Sequence, residues 1–190
     1  MWGTLSEGAW VAIQVQCRME QQVCVGLQER SYETFLPLVA RYHRHKGESI
    51  LQESPLFAGY LFCRWSNTKR HLIVQVPGVR RIVGAGNTPL PVDDTELAAI
   101  RTIVNSKLLS RPWRFLHEGN RVRISGGPLR GMEAILVALA GDRYAVVNIT
   151  LMRRAVAVKI HPSLIGSIDI HDGRDDNLHA NRREMLGSMS

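Results

Sequence analysis

The side chains able to do chemistry are few, and they do not assemble into a catalytic set. Asp93 and Asp94 stand together, and paired carboxylates can divide acid and base duties when their surroundings push their pKa values apart. These two, however, directly precede TELAAIRTIV, with Glu96 three residues beyond Asp93, the pattern of a helix cap. His43 and His45 lack cysteine or acid partners at metal-ligand spacing. Gly84-Ala85-Gly86 is followed by no helix of the dinucleotide-binding type, and the chain has no P-loop, GxSxG or HExxH motif. Cys17, Cys24 and Cys63 are odd in number and irregularly spaced, which points to buried reduced thiols rather than a disulfide framework. The expectation is a protein that acts by binding, with no enzymatic activity, cofactor or metal.

Three groups could do the binding. Arg41, His43, Arg44, His45 and Lys46 form a basic cluster around Tyr42, suited either to DNA phosphates or to a solvated loop. Lys69, Arg70 and His71 open a second basic segment. Between them runs LFAGYLFCRW over 56–65, the most apolar stretch of the first half. Read as a strand, it sends Phe57 and Leu61 to one face and Leu56, Tyr60 and Phe62 to the other. One set fills the core. The other is either an exposed docking patch or lies beneath helices that cover both faces. The net charge of +7 fits nucleic acid or an acidic protein surface as a partner.

The elements that must position these groups follow from periodicity. WVAIQVQ over 10–16 alternates as a strand. Met19, Val23 and Leu27 share one face of a helix ending near Arg30. Residues 34–39 read as a short strand broken near Pro37, 41–52 as a hairpin or loop, 56–65 as a central strand and 66–76 as a helix stopped by Pro77-Gly78. A strand over 79–83 and a helix after Asp93 complete a mixed unit, an α+β sandwich. Around Ser106 to Leu116 the periodicity lapses, and 109–116 reads as a linker. Short strands at 121–124, 132–138, 143–149 and 155–160, separated by turns, predict a small five-stranded β-barrel over 117–170. The loop 149–154 offers a surface to a protein partner. Residues 171–190 are polar and read as a disordered tail. No apolar run approaches ~18 residues, so no membrane span is expected, and the protein reads as cytoplasmic.

Two stretches carry a family resemblance. GNRVRISGGPLRGMEAIL over 119–136 resembles a KOW motif, through Gly119, Val122, Ile124, Gly127, Pro128, Gly131 and Glu133. WVAIQVQ, the helix over 20–27, FLPL at 35–38, PLFAGYLFCRW at 55–65 and QVPGVRRIVG at 75–84 together resemble the N-terminal domain of the NusG family. The order and spacing of these pieces, with the KOW segment behind them, extend the resemblance over about residues 9–169. FLPL followed by PLFAGYLF is similar to the specialised paralogues of the RfaH and UpxY kinds.

That resemblance implies an antiparallel sheet with helices over 9–108, followed by an SH3-like KOW barrel. It implies a transcription elongation and antitermination factor that bridges the cleft of RNA polymerase and acts on selected operons. Leu56, Phe57, Tyr60 and Phe62 would meet the clamp helices of the largest polymerase subunit, and Lys69, Arg70 and His71 its gate loop. Arg41, His43, Arg44, His45 and Lys46 would approach upstream or non-template DNA. The barrel would meet ribosomal protein S10, Rho or the N-terminal domain itself. The KOW segment alone would also suit an RNA-binding or ribosome-associated protein that works without polymerase. The family's usual proline in LFPGY is replaced by Ala58, which leaves the shape of the patch open.

Overall fold

A computed structural model describes residues 5–45, 48–86, 88–108, 110–116, 119–139, 141–150 and 152–167. The predicted tail 171–190 and Lys46 lie outside them. The first strand, β1 (Trp10–Val15), leads into helix α1 (Glu20–Gln28), then β2 (Thr34–Phe35), β3 (Leu38–His45), β4 (Glu48–Pro55) and β5 (Tyr60–Arg64). Next come α2 (Arg70–Ile73), β6 (Val79–Ile82), β7 (Gly84–Ala85), β8 (Thr88–Pro89) and α3 (Asp94–Asn105). The second half runs β9 (Ser110–Arg114), β10 (Asn120–Ile124), β11 (Glu133–Leu139), β12 (Asp142–Ile149), β13 (Arg154–Ile160) and β14 (Ile165–Ser167).

Four strands form an antiparallel sheet in the order β2-β5-β1-β6. Side-chain alternation divides it cleanly. Val11, Ile13 and Val15 of β1 join Leu61 and Cys63 of β5 against Val23 and Leu27 of α1 and Ile73 of α2. Trp10 and Ala12 join Phe62 on the opposite face, with Leu97, Ile100 and Ile103 of α3. Helices therefore cover both faces. Buried apolar area at ~25 cal/mol per Å² is what holds such layers together.

The stretch 56–65 is not one strand, which corrects the sequence reading. Only Tyr60–Arg64 is extended. Gly59 takes φ +79°, a backbone state that favours glycine. Its N–H donates to the buried Glu20 carboxylate at 2.7 Å, and its carbonyl accepts the Val15 N–H at 2.9 Å. This turn breaks the alternation, so Phe57 falls in with Leu56 and Phe62 rather than opposite them. Ala58 is exposed at the tip of the turn. The second helix is likewise shorter than the expected 66–76, ending after one turn at Ile73.

The strands β3 and β4 pair in register from Leu38–Pro55 to His45–Glu48. The basic cluster thus lies on a two-stranded ribbon, with Tyr42, Ile50 and Leu51 exposed. The second half is an antiparallel sheet in the order β14-β10-β11-β12-β13-β9. The segment expected as a linker is corrected here: Ser110–Arg114 is an edge strand, paired with β13 from Arg154–Arg114 to Val158–Ser110. Pro112 is tolerated because an edge strand has one side free of ladder bonds. Asn148 then fastens the next residues, donating to the Leu116 carbonyl at 2.7 Å and accepting its N–H at 3.2 Å. Between β10 and β11 the chain turns through Gly127 (φ +73°) and Gly131 (φ +85°), as the glycine and proline signals required. No helix among the described residues is long and apolar enough to cross a membrane.

Burial pushes the Cys63 thiol up to about 12, with Cys24 and Glu33 adding in the same direction. Folding favours the neutral thiol, so this contribution is complete below the ordinary thiol value and fades as pH rises from there toward about 12. Cys17 is exposed. We expect iodoacetamide at pH 8 to alkylate Cys17 in the native protein and leave Cys63 unmodified until the chain is unfolded. Equal labelling of both in the native state would contradict the burial of the α1 face.

Candidate functional site

The site sits where α3 separates the two halves. Asp93 caps this helix: its side chain accepts the Thr95 N–H at 2.7 Å and the Glu96 N–H at 3.3 Å. Those bonds, led by the one from the Thr95 hydroxyl, hold the Asp93 carboxyl below its ordinary pKa. The expected capping pair is half formed. Glu96 turns away from its own helix end and takes the Thr150 N–H at 3.0 Å and the Thr150 hydroxyl at 2.6 Å. Thr150 belongs to the loop between β12 and β13, so a carboxylate of the first half grips a loop of the second.

A second contact lies close in sequence. Arg154, which opens β13, places its guanidinium 5.9 Å from the Tyr60 ring centroid, within cation–π range. The apolar clusters merge across this junction. Trp10, Phe62, Leu97 and Ile100 share one continuous cluster with Val122, Ile124, Leu129 and Val147. Thr150 and Arg154, from the loop expected to meet a separate partner, thus contact the chain's own α3 and Tyr60.

The predicted patch is placed as follows. Leu56, Phe57 and Phe62 are buried, so of the two readings of this stretch, the one with helices over both faces holds for these three. The reason is coverage: α3 lies over that face. Phe35 stacks on Phe62 at 5.9 Å, Phe57 meets Phe62 edge-on at 6.3 Å, and Arg101 of α3 lies 4.7 Å from Phe35 and 4.8 Å from Trp10. Tyr60 alone of the four is half-buried, at the margin facing the barrel.

Lys69, Arg70 and His71 do not converge with that margin. Lys69 is the N-cap of α2, and Leu72 and Ile73 pack it on the opposite face of the sheet. Lys69 and His71 are exposed, and the Lys69 carbonyl accepts the Tyr32 hydroxyl. Arg41, His43, Arg44 and His45 share β3 of the ribbon. Of the residues that carry the KOW resemblance, Val122 and Ile124 are buried, and Glu133 pairs with Arg123 at 2.7 Å across β10 and β11. Sequence reasoning missed Glu96, Thr150 and Arg154. Glu96 was visible only as a cap residue, and nothing local marks its partner. Among the described residues no cluster of His, Cys, Asp or Glu could hold a metal ion.

These elements are an α+β sandwich followed by a six-stranded antiparallel sheet, one strand more than the five expected of the second half. Residues 8–101 match the family described as transcription termination factor NusG. A transcription termination/antitermination protein NusG of Campylobacter jejuni is 26% identical over 181 residues, covering 86% of this chain and 99% of that protein. The Thermus thermophilus NusG is 24% identical over 147 residues, covering 71% of this chain and 80% of that protein. A solved structure described as domain interaction in Thermotoga maritima NusG superposes with a TM-score of 0.57 at 18% identity, covering 86% of this chain and 98% of that one, and so shows the same fold. The chain is NusG-like: it matches the NusG family over residues 8–101 and aligns with NusG transcription termination/antitermination proteins over most of its length.

The Glu96–Thr150 grip should be measurable. In a double-mutant cycle of Glu96→Gln and Thr150→Val, we expect a coupling of about 1.5–3 kcal/mol in the stability of the full chain, the scale of hydrogen bonds to a charged group. Additive effects would show that the two side chains do not meet in solution.

Proposed function

We propose that this chain is an elongation and antitermination factor that docks on RNA polymerase through the margin around Tyr60, spans the cleft, and suppresses pausing or termination. The observation that carries the reading is Tyr60 at the junction between the family-matched half and the barrel. Aromatic anchors of this kind dominate protein interfaces. The buried Leu56, Phe57 and Phe62 support the docking surface from beneath. The ribbon with Arg41, His43, Arg44 and His45 extends toward upstream or non-template DNA, whose phosphates its positive charge fits. Lys69, Arg70 and His71, on the other face of the sheet, reach the opposite wall of the cleft at the gate loop. Holding two walls together favours the active polymerase by differential binding and requires no reaction by the factor. It catalyses nothing itself.

The packed junction adds selectivity. With Thr150 and Arg154 against α3 and Tyr60, clamp-helix docking and barrel partners both require the halves to part. A factor closed when free acts only where something opens it, which suits an operon-specific paralogue. Once parted, the 149–154 loop is released to couple with ribosomal protein S10 or Rho. The division of labour thus places polymerase contacts before Ser110 and partner contacts after it.

The test is binding to core polymerase. Tyr60→Ala should weaken affinity by about 2 kcal/mol, the hot-spot scale, while the variant remains folded. Glu96→Ala, which loosens the junction, should bind more tightly than the unaltered chain and reduce pausing more strongly in a purified transcription assay. Unchanged affinity of a folded Tyr60→Ala protein would sink the docking assignment.

A further inference from the structure

Two guanidiniums lie against the Trp10 ring. That of Arg64, on β5, stands 4.7 Å from the ring centroid, and that of Arg101, on α3, stands 4.8 Å from it. Arg101 also lies 4.7 Å from the Phe35 ring, so two aromatic side chains brace it. Arg64 is satisfied within the chain. Its Nε pairs with Glu33 at 3.3 Å, and its Nη1 donates to the Gly8 carbonyl. Arg101 makes no hydrogen bond or ion pair among the described residues.

Arg101 differs from Arg41 and Arg111, whose Nε and Nη2 are shut off from solvent without a partner. Arg101 is half-buried, and none of its nitrogens is both enclosed and unpaired. Its donors therefore open onto solvent, from a place the two rings fix. On α3 the residues three and four positions away are Leu97, Ala98, Val104 and Asn105, none of them an acid able to pair with it. Ala98, Ala99 and Thr102 of the same helix line the space facing the barrel sheet, and Arg101 does not. It is accessible while the halves are packed. Along β5, Tyr60, Phe62 and Arg64 alternate onto one face. Phe35 stands opposite Phe62 on β2, the edge strand. Arg101, over Phe35, thus extends the margin that begins at Tyr60.

We propose that Arg101 receives a carboxylate side chain of the polymerase surface that docks at the Tyr60 margin, and so distinguishes that surface from one offering no acid there. The inference rests on the docking reading above. A guanidinium fork matches a carboxylate in two parallel bonds, and one already braced by aromatic rings loses little freedom in making them. Arginine among aromatic side chains is also the composition of protein-interface hot spots. A phosphate fits the same fork, but the surroundings of Arg101 are Phe35 and Trp10 on the sandwich, not the cations of the ribbon. Selectivity follows from desolvation. A docked surface without an acid covers the fork and leaves its donors unpaired, which costs more than the lost bond.

The test measures affinity of the full chain for core polymerase free of nucleic acid, over a range of salt. Arg101→Gln should weaken binding at least about tenfold, the scale of a hydrogen bond to a charged group, and flatten the salt dependence. Tyr60→Ala should weaken binding without changing that dependence. Arg80→Gln, at an exposed position on β6, should change neither. Arg101→Lys keeps the charge. In its complex with polymerase, a carbodiimide should join residue 101 to an aspartate or glutamate of polymerase, located by mass spectrometry. A folded Arg101→Gln chain that binds as tightly as the unaltered one overturns this inference, while a weakened Tyr60→Ala leaves the docking reading standing. If neither variant weakens binding, both fall. Lost affinity with an unchanged salt dependence would make Arg101 a packing residue, and a loss seen only with DNA-loaded polymerase would make its ligand a phosphate. Either result overturns the proposal. Should Arg101→Gln fail to fold, the crosslink decides: other lysines joined to polymerase with none at residue 101 overturns it.

Discussion

Helix α3 carries Leu97, Ile100 and Ile103 into the sheet while its Glu96 carboxylate holds Thr150 of the barrel half. Every other relation between the halves depends on this double attachment. It brings the 149–154 loop to the sandwich and sets Arg154 over Tyr60. It draws β9 close behind the helix, so that Arg111 comes to share a cavity with Arg41. The Asp93 cap fixes the first turn from which Glu96 projects.

The energetic scale of the junction suits a reversible contact. A charge-assisted bond contributes about 1.5–3 kcal/mol and a cation–π contact about 0.5–1 kcal/mol. Against them stand two guanidiniums with orphaned nitrogens, each costing at least a bond's worth. The apolar cluster shared by the two halves adds to these contacts.

The elements set by local chemistry were legible in the sequence. Asp93 as a cap, the alternation of β1, and the turn through Gly127, Pro128 and Gly131 all follow from residue type and spacing. What escaped depends on distant partners. Ser110–Arg114 has no alternation of its own and becomes a strand because β13 pairs with it. The strand pattern over 56–65 breaks because Glu20 and Val15 hold Gly59 in a turn. Leu56 and Phe62 were legible as sharing a face, whereas Phe57 was assigned to the other. Whether that face is buried stayed open, because α3 arrives some thirty residues later to cover it. Arg41 and Arg111 lie seventy residues apart, and no periodicity could have joined them.

The Thr150 backbone N–H reports the junction directly, since it donates to Glu96, and hydrogen exchange of this amide on adding core polymerase is the most direct test. If polymerase docks at the Tyr60 margin and parts the halves, Thr150 exchange should quicken on binding while amides over 60–64 remain protected. If Thr150 stays protected in the complex, with polymerase shielding only the ribbon and residues 69–71, docking at the junction is contradicted.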